Sequence, residues 1–443
     1  MQTDLLIIGA GPAGLCHAFW RLQQDPDLDV RIVDKAPQPG GWVQTRRTEG
    51  YSCEMGPQAY RPCDKSDALI TALEMESRVV PCNDAAKLRF IARDGSLHPL
   101  PMGPRDLLRS KLFTLVGKLR LVTELFRKSR SPAGETLAEF VRRRFGSQAV
   151  PLAEAMASGV FGGDAHRLEM AAAFPKVLEL EAEHGSVMKA LGAMAKERKA
   201  AEQDGRKPRA ALCTFKTGME ELIQALRQRL NDRLVLGWEI SRVRRIRDRW
   251  TAFLAGDSTT TITANELVIA VPADTAALLL PDVDTELAAE LLAIPFADIV
   301  NVYLGFWESD AAGKLEGFGF LMDRSENSPY LGAIYASSLF PDRAIENKFL
   351  VRILAGGALY EGFGERDEED IAREAEGVLR RYTGLTGQLL FKRVHKLRDA
   401  IPQYVVGHAD RVRHIQDLCG RHPGLRLIGN SYHDVSVVGQ LGQ

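Results

Sequence analysis

"LLIIGAGPAGLCHAFWRLQQDPDLDVRIVDK", Leu5 to Lys35, is the stretch that decides the fold. An apolar run from Leu5 to Ile8 enters a glycine cluster. An amphipathic stretch follows, and a second apolar run ends at Asp34. That order predicts strand, helix, strand. Gly9, Gly11 and Gly14 stand in the GxGxxG spacing. Gly9 permits the tight turn, Gly11 lets the backbone approach a pyrophosphate, and Gly14 lets the helix pack closely on the strand. The free N–H groups and partial positive charge of the helix N-terminus then face the phosphates. Asp34 comes 20 residues after Gly14, where an acid accepts hydrogen bonds from ribose hydroxyls. The stretch predicts a dinucleotide cradle.

Two neighbours narrow the dinucleotide. Pro12 within "GAGPAG" and the later "PGGWVQT" (Pro39 to Thr45) favour FAD over NAD. In FAD folds of the glutathione-reductase type, a Gly-Gly loop follows the acidic residue, and Gly40–Gly41 fit that role. An ordinary Pro-Gly-Gly turn is the alternative.

Working outward, Lys35 to Pro62 is rich in Gly, Pro and polar residues and predicts an ordered loop. "LRFIARDGSLHPLP" (Leu88 to Pro101) alternates around Asp94–Gly95 and predicts a hairpin. Pro104 to about Lys199 is helical in pattern. Glu202 to Ala210 predicts an exposed linker, and Gly218 to Leu230 an amphipathic helix. Strands are expected within Arg233–Pro272 and over Ile299–Trp307, Tyr330–Ser337 and Phe349–Gly357, then a helix over Glu368–Tyr382. A last strand, Leu425–Asn430, is placed to rejoin the first sheet.

The chain has 443 residues, 45% of them apolar and 26% charged, with a net charge of -1. These values suit a globular protein and give no basis for nucleic-acid binding. The six cysteines are scattered without a CxxC pair, which argues against a metal site or a disulfide framework. No signal peptide and no membrane-spanning run is expected, so the predicted location is cytoplasmic. Pro104–Arg130 carries eight Lys/Arg and two Asp/Glu, with Leu108, Leu112, Leu115, Leu119 and Val122 at helical spacing. A basic amphipathic helix of this kind can lie peripherally on the inner face of an anionic membrane. A helical domain with its basic face in water is the other reading.

Several long motifs resemble the protoporphyrinogen oxidase family of FAD enzymes, within the wider amine-oxidase-like flavoproteins. They include "GGWVQT…EMGPQAYRP" (Gly40 to Pro62), the Leu88–Pro101 hairpin and "SGVFGGDAHRLEMAAAFPKVLELEAEHGSV" (Ser158 to Val187). "FKTGMEELIQAL" (Phe215 to Leu226), "GFGFLM" (Gly317 to Met322), "LGAIYASSLFPDR" (Leu331 to Arg343), "IPQYVVGH" (Ile401 to His408) and "LRLIGNSY" (Leu425 to Tyr432) also match. The resemblance implies an α/β fold: a Rossmann-like FAD-binding domain of the glutathione-reductase type, a mixed-sheet substrate domain and a helical insertion. The expected division is 1–80 with 210–272 and 410–443 for FAD, 81–102 with 273–409 for the substrate, and 103–209 for the helices.

The implied reaction is oxidation of protoporphyrinogen IX to protoporphyrin IX in haem biosynthesis, with molecular oxygen as acceptor and a homodimer as the assembly. Alternatives are oxidation of coproporphyrinogen III, another amine-oxidase-like chemistry, or a flavin-poor porphyrin-binding homologue. No catalytic residue is expected beyond the flavin, because the cofactor carries the redox chemistry. The resemblance places Pro12 and Ala13 in the glycine turn at the cofactor. It adds Lys35 and Trp42 beside Asp34 and Gly40–Gly41, then Gly56–Pro57, and Val243 in the meander. From the C-terminal motif come Gly429, Asn430, Val435 and Val437. There the family reads N-x-Y-x-G-V-x-x-N-D, whereas this chain has Asp434 at the Gly and Val438–Gly439 at the Asn-Asp pair. An inward-pointing Asp434 would oppose a pyrophosphate.

On the substrate side the resemblance places Arg89, whose guanidinium would pair with a porphyrinogen propionate. It also places Gly159, Phe161 and Gly162 in "GVFGGD", and Leu321 and Phe340 as apolar flanks. Core packing is the alternative for Leu321, Phe340 and Val243, a helix-ending turn for "GVFGGD", and a hairpin arginine facing solvent for Arg89.

Overall fold

Leu5 and Ile7 point to one side of the first strand, Leu6 and Ile8 to the other, and all four are buried. That explains the unbroken apolar run: the strand is covered on both faces. The computed structural model describes residues 1–127, 129–203 and 209–442. In it, Gln2–Ile8 sits inside a seven-stranded sheet, flanked in parallel by Val30–Asp34 and by Asp257–Ile269. Leu234–Leu236 extends the sheet beyond Val30–Asp34.

The long Asp257–Ile269 strand serves two partners along its far edge. Its first part pairs antiparallel with Arg249–Leu254, which in turn pairs with Ile240–Ile246. Its last residues, Leu267 to Ile269, pair in parallel with Leu425–Leu427. The expected return of the C-terminal strand to the first sheet is therefore observed. One face of this sheet packs on the helices Pro12–Gln24 and Glu220–Leu230 through Leu15, Phe19, Leu222 and Leu226. The other packs on Ala273–Leu279, Thr285–Leu292 and His408–Gly420 through Ala276, Leu287 and Ile415. The helices at 273–279 and 285–292, grouped above with the second sheet, thus pack against the first.

The second sheet also has seven strands. Their order is Phe391–Pro402, Phe296–Trp307, Lys348–Gly356, Tyr330–Ile334, Gly319–Met322, Arg89–Arg93 and Ser96–Pro99. The last two form the expected hairpin, with Asp94 at φ 52° and Gly95 at φ 68° in the turn. Positive φ at both turn residues matches the right-handed twist of the strands. Glu368–Thr383 covers one face through Ile371, Ala375 and Leu379. The other face carries the buried polar residues Asn301, Tyr303 and Arg352, turned toward the first unit.

Helices from Pro104–Arg109 to Val187–Gln203 fill the stretch between, as the pattern predicts. Their centre is the fully buried ion pair of Arg144 with Glu124. Arg143 bridges Glu135 at 2.6 Å and Glu181 at 2.8 Å. The structure departs from expectation at several points; the strand expected over Tyr330–Ser337 ends at Ile334, and Ala336–Leu339 is helical. Thr45–Thr48 and Tyr51–Glu54 pair as strands inside the expected loop. Phe391–Pro402 is a strand and His408–Gly420 a helix where neither was expected. Residues 204–208 of the expected linker lie outside the described residues.

Candidate functional site

The glycine turn is built as its spacing requires. Gly9 has φ +111°, and a Cβ there would lie 2.7 Å from the Ala270 carbonyl oxygen. A Cβ on Gly14 would lie 2.0 Å from the Gly9 carbonyl oxygen, so the helix could not approach. Gly11 differs: a Cβ there would meet nothing within 4 Å, leaving open space before the helix. No side chain caps that helix, and Pro12 at its first position has no N–H. The amides of Ala13 and Gly14 are left to face an anion.

Asp34 closes one side of the turn. Its Oδ2 accepts from Ala10 N at 2.7 Å and its Oδ1 from Ala36 N at 2.8 Å. A carboxylate has about four acceptor positions, so two remain for ribose hydroxyls. The Gly-Gly loop closes the other side. Gly40 N donates to Ala10 O at 2.7 Å, and a Cβ on Gly41 would be 3.7 Å from Gly11 Cα. Lys35 and Trp42 are exposed beside it, and a Cβ on Gly56 would lie 2.5 Å from the Trp42 carbonyl oxygen. Pro57 is half-buried next to Gln58, whose amide O and N are both buried without a partner. Open space over Gly11, an uncapped helix and an orphaned buried amide fit a large polar cofactor.

Sequence reasoning missed what anchors this loop. Asn301 donates to Met55 O at 2.8 Å, and Arg352 donates to Gly56 O at 2.7 Å and to Asn301 Oδ1 at 2.9 and 3.0 Å. Tyr303 donates to the Glu54 carbonyl. The Glu54 carboxylate accepts from Thr45 Oγ1 at 2.8 Å and Met219 N at 3.0 Å, with Arg343 3.7 Å away. Burial pushes the Glu54 pKa up, and Arg343 works against it. Glu54 lies inside the "EMGP" motif, but its partners lie far along the chain and carried no local signal.

The C-terminal motif reaches the same region. Gly429 has φ +126°, and Asn430 O accepts from the Tyr404 hydroxyl. Val435 packs with Phe161 and Tyr404, and Val437 on the other side with Leu15 and Phe19. A short helix, Val437–Gln440, follows, and Trp20 Nε1 donates to Leu441 O at 2.9 Å. Asp434 is exposed, and its Oδ1 accepts from Ser436 N at 2.8 Å. It caps its own turn. Val243 is fully buried among Ile8, Val33 and Ile240, so its side chain is core and only its backbone is left to face a ligand.

The substrate-side residues separate into two groups. Gly159 and Leu321 are brought together: a Cβ on Gly159 would lie 2.4 Å from Leu321 Cδ2. Arg89 is half-buried with its guanidinium 4.9 Å from the Phe318 ring centre. Its Nε is buried without a partner, and among the described residues no carboxylate pairs with it. Burial lowers its pKa, and Arg61 adds a second cation beside it. A half-buried guanidinium without a counter-ion suits an anionic ligand. Phe161, Gly162 and Phe340, by contrast, are packed away. Phe161 packs with Phe174 and Tyr404, and Phe340 with Ala86 and Leu339. Gly162, in the left-handed conformation at φ 56°, ends the helix, and its carbonyl accepts from Ala358 N at 2.7 Å.

Comparison with known proteins places this geometry. Residues 12–441 match the family of flavin containing amine oxidoreductases. The chain is 28% identical over 461 residues to the chloroplastic protoporphyrinogen oxidase of Oryza sativa subsp. japonica, covering 99% of this chain and 86% of that one. It is 27% identical over 455 residues to the coproporphyrinogen III oxidase of Bacillus subtilis (strain 168), covering 98% and 95%. It superposes with a TM-score of 0.82 on the crystal structure of a candidate protoporphyrinogen oxidase from Exiguobacterium sp. 255-15, at 24% identity, covering 99% and 96%. That likeness shows the mixed α/β fold. The family spans almost the whole chain and the glycine cradle suits its cofactor: this chain belongs to the flavin containing amine oxidoreductases and is an FAD-dependent oxidoreductase.

Proposed function

We propose that this flavoenzyme oxidises protoporphyrinogen IX to protoporphyrin IX in haem biosynthesis, with molecular oxygen as final acceptor. The observation that carries the reading is Arg89, a half-buried cation without a protein counter-ion. Such a group suits a propionate on an otherwise apolar ring. FAD, when bound, supplies the electron acceptor for removal of hydrogen from the macrocycle. The chain's own residues bind and orient. Asp34 takes the ribose hydroxyls. The amides of Ala13 and Gly14, with Gly11, Gly40 and Gly41, take the pyrophosphate. Gly56–Pro57, Gln58 and Gly429–Asn430 border the flavin end. Gly159 and Leu321 form an apolar flank for the macrocycle, and Arg89 fixes its orientation.

A second reading, oxidation of coproporphyrinogen III, is favoured by Arg61. A second guanidinium beside Arg89 suits a substrate with more carboxylates. Parallel assays of flavin bleaching without oxygen, using each porphyrinogen, test both. Bleaching by neither would sink the whole reading. Bleaching by coproporphyrinogen alone would give the second.

We further propose that the helical region rests on an anionic membrane surface from the cytoplasmic side. Leu108, Leu115, Val116, Leu119 and Phe126 are 72%, 83%, 76%, 66% and 79% exposed. Arg105, Arg109, Lys111 and Lys118 are interleaved with them. Among the described residues no helix is long and apolar enough to cross a membrane. Apolar side chains amid cations suit a headgroup layer. Sedimentation with phosphatidylserine vesicles tests this, and no binding at low salt would remove it. We also propose the expected domain division with one change, the helices at 273–279 and 285–292 being grouped with the first sheet.

A further inference from the structure

One short segment touches the loops assigned to both sides of the site. Gln403 is buried, and its Nε2 donates to Phe161 O at 2.8 Å. Its Oε1 is so close to the glycine loop that a Cβ on Gly163 would lie 2.6 Å from it. The next residue, Tyr404, donates through its hydroxyl to Asn430 O. Its ring stacks on His408 with centroids 4.1 Å apart and planes at 14°, and meets Phe161 at 5.7 Å. His408 is buried, and neither of its ring nitrogens hydrogen-bonds to a described residue. Ser431 Oγ accepts from Ala273 N at 3.1 Å, which ties that loop to the first sheet. The backbone is held as firmly: Gln403 N donates to Pro295 O at 2.8 Å, and Tyr404 O accepts from Glu169 N at 2.7 Å.

We propose that Gln403, Tyr404 and His408 are positioning residues that fix the cofactor-side loop Gly429–Ser431 and the substrate-side turn Phe161–Gly163 against each other. The assignment of the two sides rests on the function proposed above. The polar ends of two adjacent side chains bond different loops, Gln403 the Phe161 carbonyl and Tyr404 the Asn430 carbonyl. Tyr404 holds the Asn430 carbonyl through its hydroxyl, and His408 braces the Tyr404 ring by stacking on it. Gln403 holds the end of the Val150–Phe161 helix, and with it Gly159 against Leu321. Burial holds the His408 pKa down to about 4, with Arg411 and His433 adding like charge. The ring therefore stays neutral and the stack is uncharged at neutral pH.

The division of labour gives a test. In Tyr404→Phe the ring and its stack remain and one buried hydrogen bond is lost. The Kd for FAD of the apo-protein, read by flavin fluorescence, should rise about five- to twentyfold. The apo-protein's melting temperature should stay within about 2 °C, and KM at saturating FAD within about twofold. Gln403→Met should do the reverse, raising KM about five- to twentyfold and leaving the FAD Kd within about twofold. A merely structural role would lower the melting temperature and move both constants together in both variants. That outcome, or an unchanged FAD Kd in folded Tyr404→Phe, overturns the proposal. If Tyr404→Phe does not fold, His408→Gln must raise the FAD Kd, and a normal value overturns it equally. A wild-type protein that turns over no porphyrinogen defeats the functional reading alone. The FAD titrations then decide the positioning role.

Discussion

Replacing Arg89 by Met separates binding from stability in a way few substitutions do. Met keeps an unbranched stem over the Phe318 ring and removes the charge. In the folded protein the guanidinium has no carboxylate among the described residues, and burial and Arg61 both act against its charge. Removing it relieves a desolvated, unpaired cation, worth about 1 kcal/mol at a half-buried site. The lost cation–π contact with Phe318, 4.9 Å away, costs about 0.5–1 kcal/mol. The two nearly cancel, and the melting temperature should move by no more than about 2 °C. Binding behaves differently. A charge-assisted hydrogen bond to a carboxylate contributes about 1.5–3 kcal/mol, so KM for the porphyrinogen should rise about 10- to 150-fold. Porphyrin fluorescence during turnover reads KM, and thermal unfolding of the same preparation reads stability. A KM within twofold of wild type in a stable variant would refute the carboxylate role. A large loss of stability with unchanged KM would show that Arg89 has a protein partner instead.

Three further outcomes are expected. Gly11→Ala and Gly14→Ala should differ sharply, because a Cβ meets nothing within 4 Å at Gly11 but lies 2.0 Å from the Gly9 carbonyl oxygen at Gly14. The first variant should fold and bind FAD weakly, by titration. The second should not fold, and recovery of folded apo-protein would contradict the close helix–strand packing. Glu124→Gln leaves the fully buried Arg144 without its main counter-ion and should cost about 3–5 kcal/mol. The helices should then open to protease first, with flavin absorbance retained. Finally, His395 and His408 are both held down to about 4 by burial. The unfolded chain binds their protons near pH 6.5 and the folded one does not. Stability should therefore fall as pH drops from about 6.5 toward 4, by up to about 3 kcal/mol for each residue. Denaturant melts across that range, with His408→Phe flattening the slope, provide the check.

Local chemistry made much of this legible in the sequence. The glycine turn is dictated by contacts within its own strand–helix unit, and so its spacing alone announces it. The Asp94–Gly95 hairpin is equally local. Phe391–Pro402 escaped because it is an edge strand, loaded with Lys392, Arg393, Lys396 and Arg398, which interrupt the alternation. Such charges suit an edge, where they discourage pairing with another chain. The burial of Phe340 and Phe161 was not readable, since an apolar residue in a motif looks the same whether it lines a cavity or fills a core. Asn301 and Arg352 were hidden for another reason. Their carbonyl partners at Met55 and Gly56 lie more than 240 positions away, and no window of sequence holds both ends.

The shared edge of the long Asp257–Ile269 strand has a consequence for synthesis. Leu267 to Ile269 wait for Leu425 to Leu427, some 160 residues further on. At about 5–20 residues per second, that interval lasts roughly 8–30 s. Throughout it the second sheet is being made, while the first has an open parallel edge of three apolar residues. The first sheet cannot be completed until that gap is filled from the far end of the chain. A growing polypeptide of this kind is most exposed to mispairing with a neighbouring chain in its final third, not at its start. Slowing translation after residue 270 should therefore lower the soluble yield more than slowing it before residue 100.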